Sequence, residues 1–218
     1  LSCFVKINEH ISQQSNPRPG IKILSLRHLV EKLKNGKVWF AVIDFETNGL
    51  EQGTSVLAWT GIFGSVVGIP PVWMEAEAIT RYYLPLEPVD RTAGRHHGLN
   101  EARIRALRND ADYPEHFVDD LDAARRLSEV ELIVCHNAVF DAAFLPDCRS
   151  SLFLCTMRAN VTRVGRRPEG ALRFPSLADT AAHYRLSFDH SELHTSEGYA
   201  RLAANVFRAM IERVATAW

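Results

Sequence analysis

The 218-residue sequence has few of the features that mark a membrane, secreted or nucleic-acid-coating protein. No apolar run reaches the roughly 20 residues that span a bilayer, and the first residues show no signal-peptide pattern. An intracellular protein, cytoplasmic or organellar, is therefore expected. The formal net charge is −1, which excludes the global basic field by which some proteins coat nucleic acid.

Cysteine is also scarce. The four cysteines form no C-x-x-C pair and no zinc-ligand spacing, which favours reduced thiols over a structural zinc site. Cys135 lies in an apolar run, where a small core residue is expected. Residues 1–20, rich in Ser, Gln, Asn and Pro, are predicted to be an N-terminal extension, and residues 21–218 a single domain.

The hydrophobic pattern predicts a mixed α/β domain. Three β-rich runs joined by short links predict an antiparallel meander over residues 38–43, 56–68 and 78–84, with breaks at Gly61 and Gly64. Two further strands are predicted at residues 132–135 and 152–155. Helices are predicted at residues 26–33, 101–107, 114–127, 138–145, 157–164, 177–185 and 196–217. A meander followed by β-α units indicates a mixed sheet with helices on its faces.

Two carboxylates, Asp44 and Glu46, end the first predicted strand just before a Thr-Asn-Gly turn. Because residues i and i+2 share one face of a strand, both side chains point the same way. Two like charges so close raise one pKa unless a cation lies between them, and Mg²⁺ takes oxygen ligands of this type. A strand end whose acids face solvent is the alternative that this stretch leaves open.

Two later stretches carry further candidate residues. Asp141 lies in the first turns of a helix, after a strand that ends at His136. It is either a site carboxylate or an acid that favours the helix dipole. His194 precedes the final helix, where an imidazole with an ordinary pKa near 6.5 is placed to act as a general base. The alternative for His194 is a surface histidine.

Taken together, these stretches resemble the three motifs of the DEDDh-type 3′–5′ exonucleases, the DnaQ-like family. The first is DFETNGL at residues 44–50, the second HNAVFDAAFL at 136–145, and the third LHTSEGYA at 193–200. The segment His97-Gly98-Leu99 also resembles a family signpost between the first two motifs. The resemblance covers residues 38–215.

The resemblance implies an RNase H-like fold and two Mg²⁺ or Mn²⁺ ions that hydrolyse phosphodiester bonds at the 3′ ends of DNA or RNA. Asp44, Glu46 and Asp141 would be metal ligands, and His194 would take the proton from the attacking water. The residues implied to contact the terminal nucleotide are Thr47, His136, Asn137 and Phe140.

One position departs from the family pattern. The residue five after the motif histidine is an aspartate in the family and Tyr199 here. A phenol with an ordinary pKa near 10 is neutral at pH 7 and a poor Mg²⁺ ligand, and Glu197 lies about 200° away around the helix. Two hypotheses stay open: an active metal-dependent 3′–5′ exonuclease, or a catalytically impaired exonuclease-fold protein that serves a larger complex as a nucleic-acid-binding or assembly subunit.

Overall fold

A computed structural model of the protein describes residues 21–51, 53–145, 152–165 and 170–216. The predicted N-terminal extension, residues 1–20, lies outside these ranges. The strands are β1 (Lys22–Ile23), β2 (Lys37–Thr47), β3 (Val56–Val67), β4 (Val72–Tyr82), β5 (Leu132–Cys135) and β6 (Leu152–Cys155). They form one sheet in the order β1-β6-β5-β2-β3-β4.

The sheet combines both kinds of strand pairing. Strands β2, β3 and β4 form the antiparallel meander, and β5, β6 and β1 continue the sheet from β2 in parallel. The predicted α/β class, with a meander followed by parallel strands, is therefore confirmed. Strand β1 was not predicted, because two residues are too few to show an alternating pattern.

Helices flank the sheet. They are α1 (Leu26–Asn35), α2 (Arg91–His97), α3 (Glu101–Leu107), α4 (Leu121–Ser128), α5 (Ala138–Asp141), α6 (Thr156–Val164), α7 (Leu177–His183) and α8 (Ser196–Ala215), with 3₁₀ turns at Phe117–Asp119 and Glu192–His194. Within the described ranges, no helix combines the length and apolar character needed to cross a membrane.

The alternation of β2 divides the core into two layers. Val38, Phe40 and Val42 pack in the layer that contains α8, while Ala41, Ile43 and Phe45 pack in the layer on the opposite face. The ring of Phe207, from α8, meets Phe40 edge to face with centroids 5.4 Å apart. Because the side chains of a strand alternate, the next two even-numbered residues of β2 also face α8.

Gly61 and Gly64 do not interrupt β3, so this part of the sequence prediction is wrong. A Cβ at Gly61 would come within 2.8 Å of the Trp59 ring, and one at Gly64 within 2.6 Å of the Met74 carbonyl oxygen. Glycine is therefore required by close packing rather than by a turn. The register of β3 and β4 also shifts between Phe63 and Gly64, as in a β-bulge.

The helix predicted over residues 114–127 is also wrong, because a buried polar residue divides it. Asp120 lies between a 3₁₀ turn and α4, and its carboxylate accepts a hydrogen bond from a backbone N–H of the first turn of α4 at 2.9 Å. The same carboxylate accepts hydrogen bonds from the Arg81 guanidinium at 2.7 Å and the Tyr83 hydroxyl at 2.8 Å. Leu121, in the middle of the predicted helix, is exposed.

Replacing Asp120 by Ala is expected to lower the free energy of unfolding by about 3–5 kcal/mol, because it leaves the largely buried Arg81 guanidinium short of its counter-charge. Urea denaturation at pH 7 measures the change. Glu101→Ala, which removes an exposed ion pair with Arg105, is the control and should cost less than about 1 kcal/mol. Equal losses in the two variants would contradict a structural role for the buried pair.

Candidate active site

The end of β2 is shaped by a bulge and by hydrogen bonds to a distant loop. The pairing of β2 with β3 shifts register between Glu46 and Thr47, a feature that re-aims side chains beside functional sites. The Thr47 hydroxyl donates to the Gly49 carbonyl at 2.6 Å, and the Asn48 amide donates to Glu87 at 2.8 Å. The turn that follows Glu46 is therefore held by one hydrogen bond within the turn and by another to Glu87, in the loop before α2.

Three carboxyl groups interact at this end of the sheet. Glu46 is 7% exposed and Asp141 4% exposed, and burial raises the pKa of each to about 8. Burial also raises the pKa of Asp44 well above its ordinary value, and repulsion from Asp141 and then from Glu46 adds to the effect. The structure thus brings the three predicted ligands into one electrostatic group, in which full ionisation is costly without a cation.

Asp141 is oriented by the start of α5 and by a cysteine. Burial has the largest effect on the pKa of its carboxyl group and raises it, while hydrogen bonding to the Asp141 backbone, the Cys135 thiol and the Asn137 backbone lowers it by less. Cys135 is fully buried and free, as is Cys155. The predicted core position of Cys135 is confirmed, whereas its contact with a site carboxylate was not predicted.

Tyr199 lies on the first turns of α8, on the side of the sheet that the two β2 carboxylates face. Burial raises the pKa of its hydroxyl to about 12, and the charges of Asp44 and Glu46 add to the effect. The side chain is therefore a neutral phenol at pH 7 and supplies no negative charge. Glu197, on the same turn of α8, forms an ion pair with Arg201 at 2.9 Å.

His194 is exposed at the end of a 3₁₀ turn, one residue before Thr195, the N-cap of α8. Its ring meets the ring of His96 edge to face, with centroids 5.9 Å apart. Burial and then the neighbouring His194 lower the pKa of His96. The contact between the two histidines was not predicted, because their distance in the chain hides it from any local pattern.

His136 is held within the fold. Its Nε2 lies 3.1 Å from the Pro175 carbonyl oxygen, to which it donates, and its Nδ1 lies 2.9 Å from the Thr156 hydroxyl. Burial lowers its pKa to about 4, so the ring is neutral at pH 7. Both ring nitrogens are occupied in this arrangement, and the substrate contact assigned to His136 stays a prediction.

Asn137 and Phe140, at the start of α5, have groups that a ligand could contact. The Asn137 Oδ1 atom is buried and has no hydrogen-bond partner among the described residues. Phe140 is half-buried and packs against Phe144, with ring centroids 5.0 Å apart. Buried polar atoms normally have a partner, so Asn137 can accept a hydrogen bond from a ligand.

The chemistry of these donors fits a hard divalent cation. Asp44, Glu46 and Asp141 supply oxygen atoms, and their mutual repulsion is what such an ion relieves. As the side chains stand, no group of three or more His, Cys, Asp or Glu residues is arranged as a ligand set in the described part of the chain. Tyr199, the neighbouring side chain on α8, adds no charged oxygen to these three carboxyl groups.

The raised carboxyl pKa values predict how the stability of the metal-free protein depends on pH. The pKa of Glu46 is about 8 when folded against an ordinary 4.5, so the folded state binds more protons and stability falls as pH rises between these values. Glu46→Gln is therefore expected to stabilise the protein by about 1–4 kcal/mol more at pH 8.5 than at pH 4. Denaturant unfolding in EDTA at both pH values measures this difference.

Glu212→Gln, at an exposed position of α8, is the control and should show no such dependence on pH. Mn²⁺ should stabilise the wild type more at pH 8.5 than at pH 4, because the ion competes with protons for the same oxygen atoms. An equal effect of Glu46→Gln at both pH values would contradict the buried position of its carboxyl group.

The arrangement of strands and helices defines the fold class. The six-stranded mixed sheet with helices on its faces is the RNase H-like fold of the exonucleases. No family model and no curated protein matches the sequence, so the likeness lies in the structure.

Two kinds of exonuclease are among the similar solved structures. Exonuclease X, solved with 5′-overhanging duplex DNA, is 22% identical, with a TM-score of 0.54, over 82% of this chain and 93% of its own. An exonuclease I structure is 13% identical, with a TM-score of 0.56, over 82% of this chain and 43% of its own. A zinc-bound E. coli exonuclease I complex with single-stranded DNA is 14% identical, with a TM-score of 0.55, over 81% and 41%. The chain thus spans less than half the length of these exonuclease I chains.

Proposed function

We propose that the chain is a 3′–5′ exonuclease that hydrolyses phosphodiester bonds at the ends of DNA or RNA with Mg²⁺ or Mn²⁺, two ions when active. The observation that supports this most is the electrostatic contact of Asp44 with both Glu46 and Asp141 at the end of β2, on an exonuclease fold. The DNA-bound exonucleases X and I support nucleic acid as the substrate.

In this proposal each side chain has a defined task. Asp44, Glu46 and Asp141 would hold the ions through their carboxylate oxygens. The ions, when bound, would lower the pKa of the attacking water and stabilise the leaving oxygen. The exposed imidazole of His194 accepts the proton of the water and passes it to solvent.

The terminal nucleotide would be held by groups on the turn after β2 and on α5. The half-buried face of Phe140 would stack on its base or sugar, and the Asn137 Oδ1 atom would accept a hydrogen bond from a sugar hydroxyl. Backbone groups around Thr47, fixed by the bulge and the hydroxyl contact to Gly49, would contact the same nucleotide. Residues 21–218 are proposed to act as one domain.

A gel assay tests the proposal. A 5′-labelled single strand incubated with the protein and Mn²⁺ or Mg²⁺ should give a ladder that shortens from the 3′ end. A strand blocked at its 3′ end should stay intact, which separates exonuclease from endonuclease cleavage. If the wild type produced no ladder with either ion, the proposed activity of this chain would be wrong, whatever Tyr199→Asp did.

The position of Tyr199 favours a second candidate function. Its neutral phenol interacts electrostatically with Asp44 and Glu46, where a fourth carboxylate would strengthen metal binding. A chain impaired in this way could bind nucleic acid or assemble into a larger complex without cleaving. One solved exonuclease I structure is a complex with SSB-Ct, which supports a protein partner for this fold. A wild type that binds single strands but gives no ladder, while Tyr199→Asp gives one, would support this alternative.

Phe140→Ala is expected to weaken binding of a single-stranded oligonucleotide about tenfold, because a stacked base contributes about 1–3 kcal/mol. Fluorescence anisotropy of a 5′-labelled strand measures the affinity and needs no cleavage. Phe140→Tyr keeps the aromatic face and should bind within about threefold of the wild type. Unchanged affinity in Phe140→Ala would exclude this residue from the binding surface.

A further inference from the structure

We infer that His96 is a positioning residue for His194, an inference that rests on the proposed role of His194 as the base. The two rings meet edge to face, with centroids 5.9 Å apart and planes at 77°. This geometry is a favoured arrangement of aromatic rings. His96 belongs to the last turn of α2, so the contact joins α2 to the start of α8.

His194 needs such support because of where it lies. It ends a short 3₁₀ turn and is exposed, and no hydrogen bond to its ring is found within the described ranges. An unsupported side chain on such a turn samples several rotamers, and fixing one of them costs conformational entropy. Catalytic bases are commonly oriented by a third group, which lowers that cost. Here the His96 ring would do so by packing.

His96 itself is well anchored. Asp90 is the N-cap of α2, and its carboxylate accepts backbone hydrogen bonds at 2.8 and 2.9 Å. It ends at Gly98, in the left-handed region at φ 68°, a conformation that favours glycine. The neighbouring His97 is 6% exposed, and its Nδ1 accepts the Leu99 N–H at 3.0 Å. The end of α2 is thus held in place by hydrogen bonds, and the His194 ring packs against it.

The neighbouring His97 has a different role. Burial lowers its pKa to about 4, and its ring is turned into the fold by the contact with Leu99. His96 is the half-buried member of the pair and the one whose ring meets the base. Of the two adjacent histidines, His97 therefore stabilises the end of α2, and His96 positions His194.

The test combines kinetics with a direct view of the rings. In whichever parent gives a ladder, wild type or Tyr199→Asp, His96→Ala should lower kcat about 10–100-fold and leave KM within about threefold. His96→Phe keeps an edge-to-face ring without a titrating nitrogen and should restore kcat to within about threefold of the parent. Arg95→Ala, an exposed change on the same helix, should leave kcat unchanged.

Proton NMR of the His194 ring reads the contact without cleavage. His96→Ala should remove the ring-current shift of the His194 protons, and His96→Phe should retain one. If His96→Ala does not fold, His96→Gln, which keeps the size and polarity without a ring, should lose both kcat and the shift.

The outcomes separate this inference from the proposed function. Absence of a ladder from both parents contradicts the proposed function and with it the role of His194. A ladder together with an unchanged kcat in His96→Ala contradicts the positioning role alone. A kcat that is lost equally in His96→Ala and His96→Phe also overturns it, because ring packing would then not be what the base requires.

Discussion

Tyr199→Asp is expected to raise exonuclease activity at least ~100-fold, the scale on which one charged group aimed at a reacting centre acts. Tyr199 lies on the turn of α8 that approaches Asp44 and Glu46, so a carboxylate there would add a charged oxygen ligand from the facing helix. The shorter side chain would also leave room for an ion. The measurement is the initial rate at which a 5′-labelled single strand is shortened from its 3′ end, with Mn²⁺ and with Mg²⁺.

Two control variants isolate the charge. Tyr199→Asn has nearly the size of aspartate without its charge, and Tyr199→Phe removes only the hydroxyl. Both should remain close to the wild type. If Tyr199→Asn were as active as Tyr199→Asp, space rather than metal binding would limit the wild type. A wild type already as fast as Tyr199→Asp would show that Asp44, Glu46, Asp141 and His194 suffice.

Tyr199→Asp should also change stability in a way that depends on the metal. It adds a further carboxyl group to three whose pKa values are already raised, so the metal-free variant should unfold more easily than the wild type at pH 8. Mn²⁺ should offset this loss, because a bound cation relieves the repulsion. A variant destabilised to the same extent with and without Mn²⁺ would not have gained a metal ligand.

Asp44→Asn is expected to abolish activity, lowering the rate more than ~1000-fold in the wild type or in Tyr199→Asp, because both proposed ions depend on this residue. Asp44 is the carboxyl group that interacts with both Asp141 and Glu46. The same change should stabilise the metal-free protein at pH 8, since it removes a charge from a repelling group. Loss of activity with a gain in stability distinguishes a removed ligand from a damaged fold.

Asp112→Asn, at an exposed position far along the chain, is the matched control and should leave rate and stability unchanged. The same gel assay and denaturant unfolding in EDTA serve both variants. Activity that survived Asp44→Asn would contradict the metal mechanism itself, whatever the behaviour of Tyr199.

Local patterns predicted the parts of the fold in which each residue contacts one predictable face. The alternation of β2 and the apolar spacing of α8 were read from the sequence because a sheet on one side and a helix on the other impose regular periods. The failures arose where a distant partner decides. Glycine is required at residues 61 and 64 because the Trp59 ring and the backbone of β4 approach closely. The start of α4 is determined by the buried pair of Asp120 with Arg81.

The candidate site divides in the same way. The shared face of Asp44 and Glu46 follows from their spacing on one strand, and the short distance from a strand end to Asp141 also follows from the sequence. The thiol of Cys135 beside Asp141 and the His96 ring beside His194 join residues that no local pattern connects. Their contacts depend on how α2, α5 and α8 meet the edge of the sheet.

The most direct test is isothermal titration calorimetry at pH 8, in which Mn²⁺ is titrated into the wild type and into Asp44→Asn. The three carboxyl groups should bind Mn²⁺ in the wild type and release protons as they do so, because the pKa values of Glu46 and Asp141, about 8, leave these two groups partly protonated without the ion. Asp44→Asn should lose this binding. Equal Mn²⁺ binding in the two proteins, or none in the wild type and in Tyr199→Asp alike, would contradict a metal site at the end of β2.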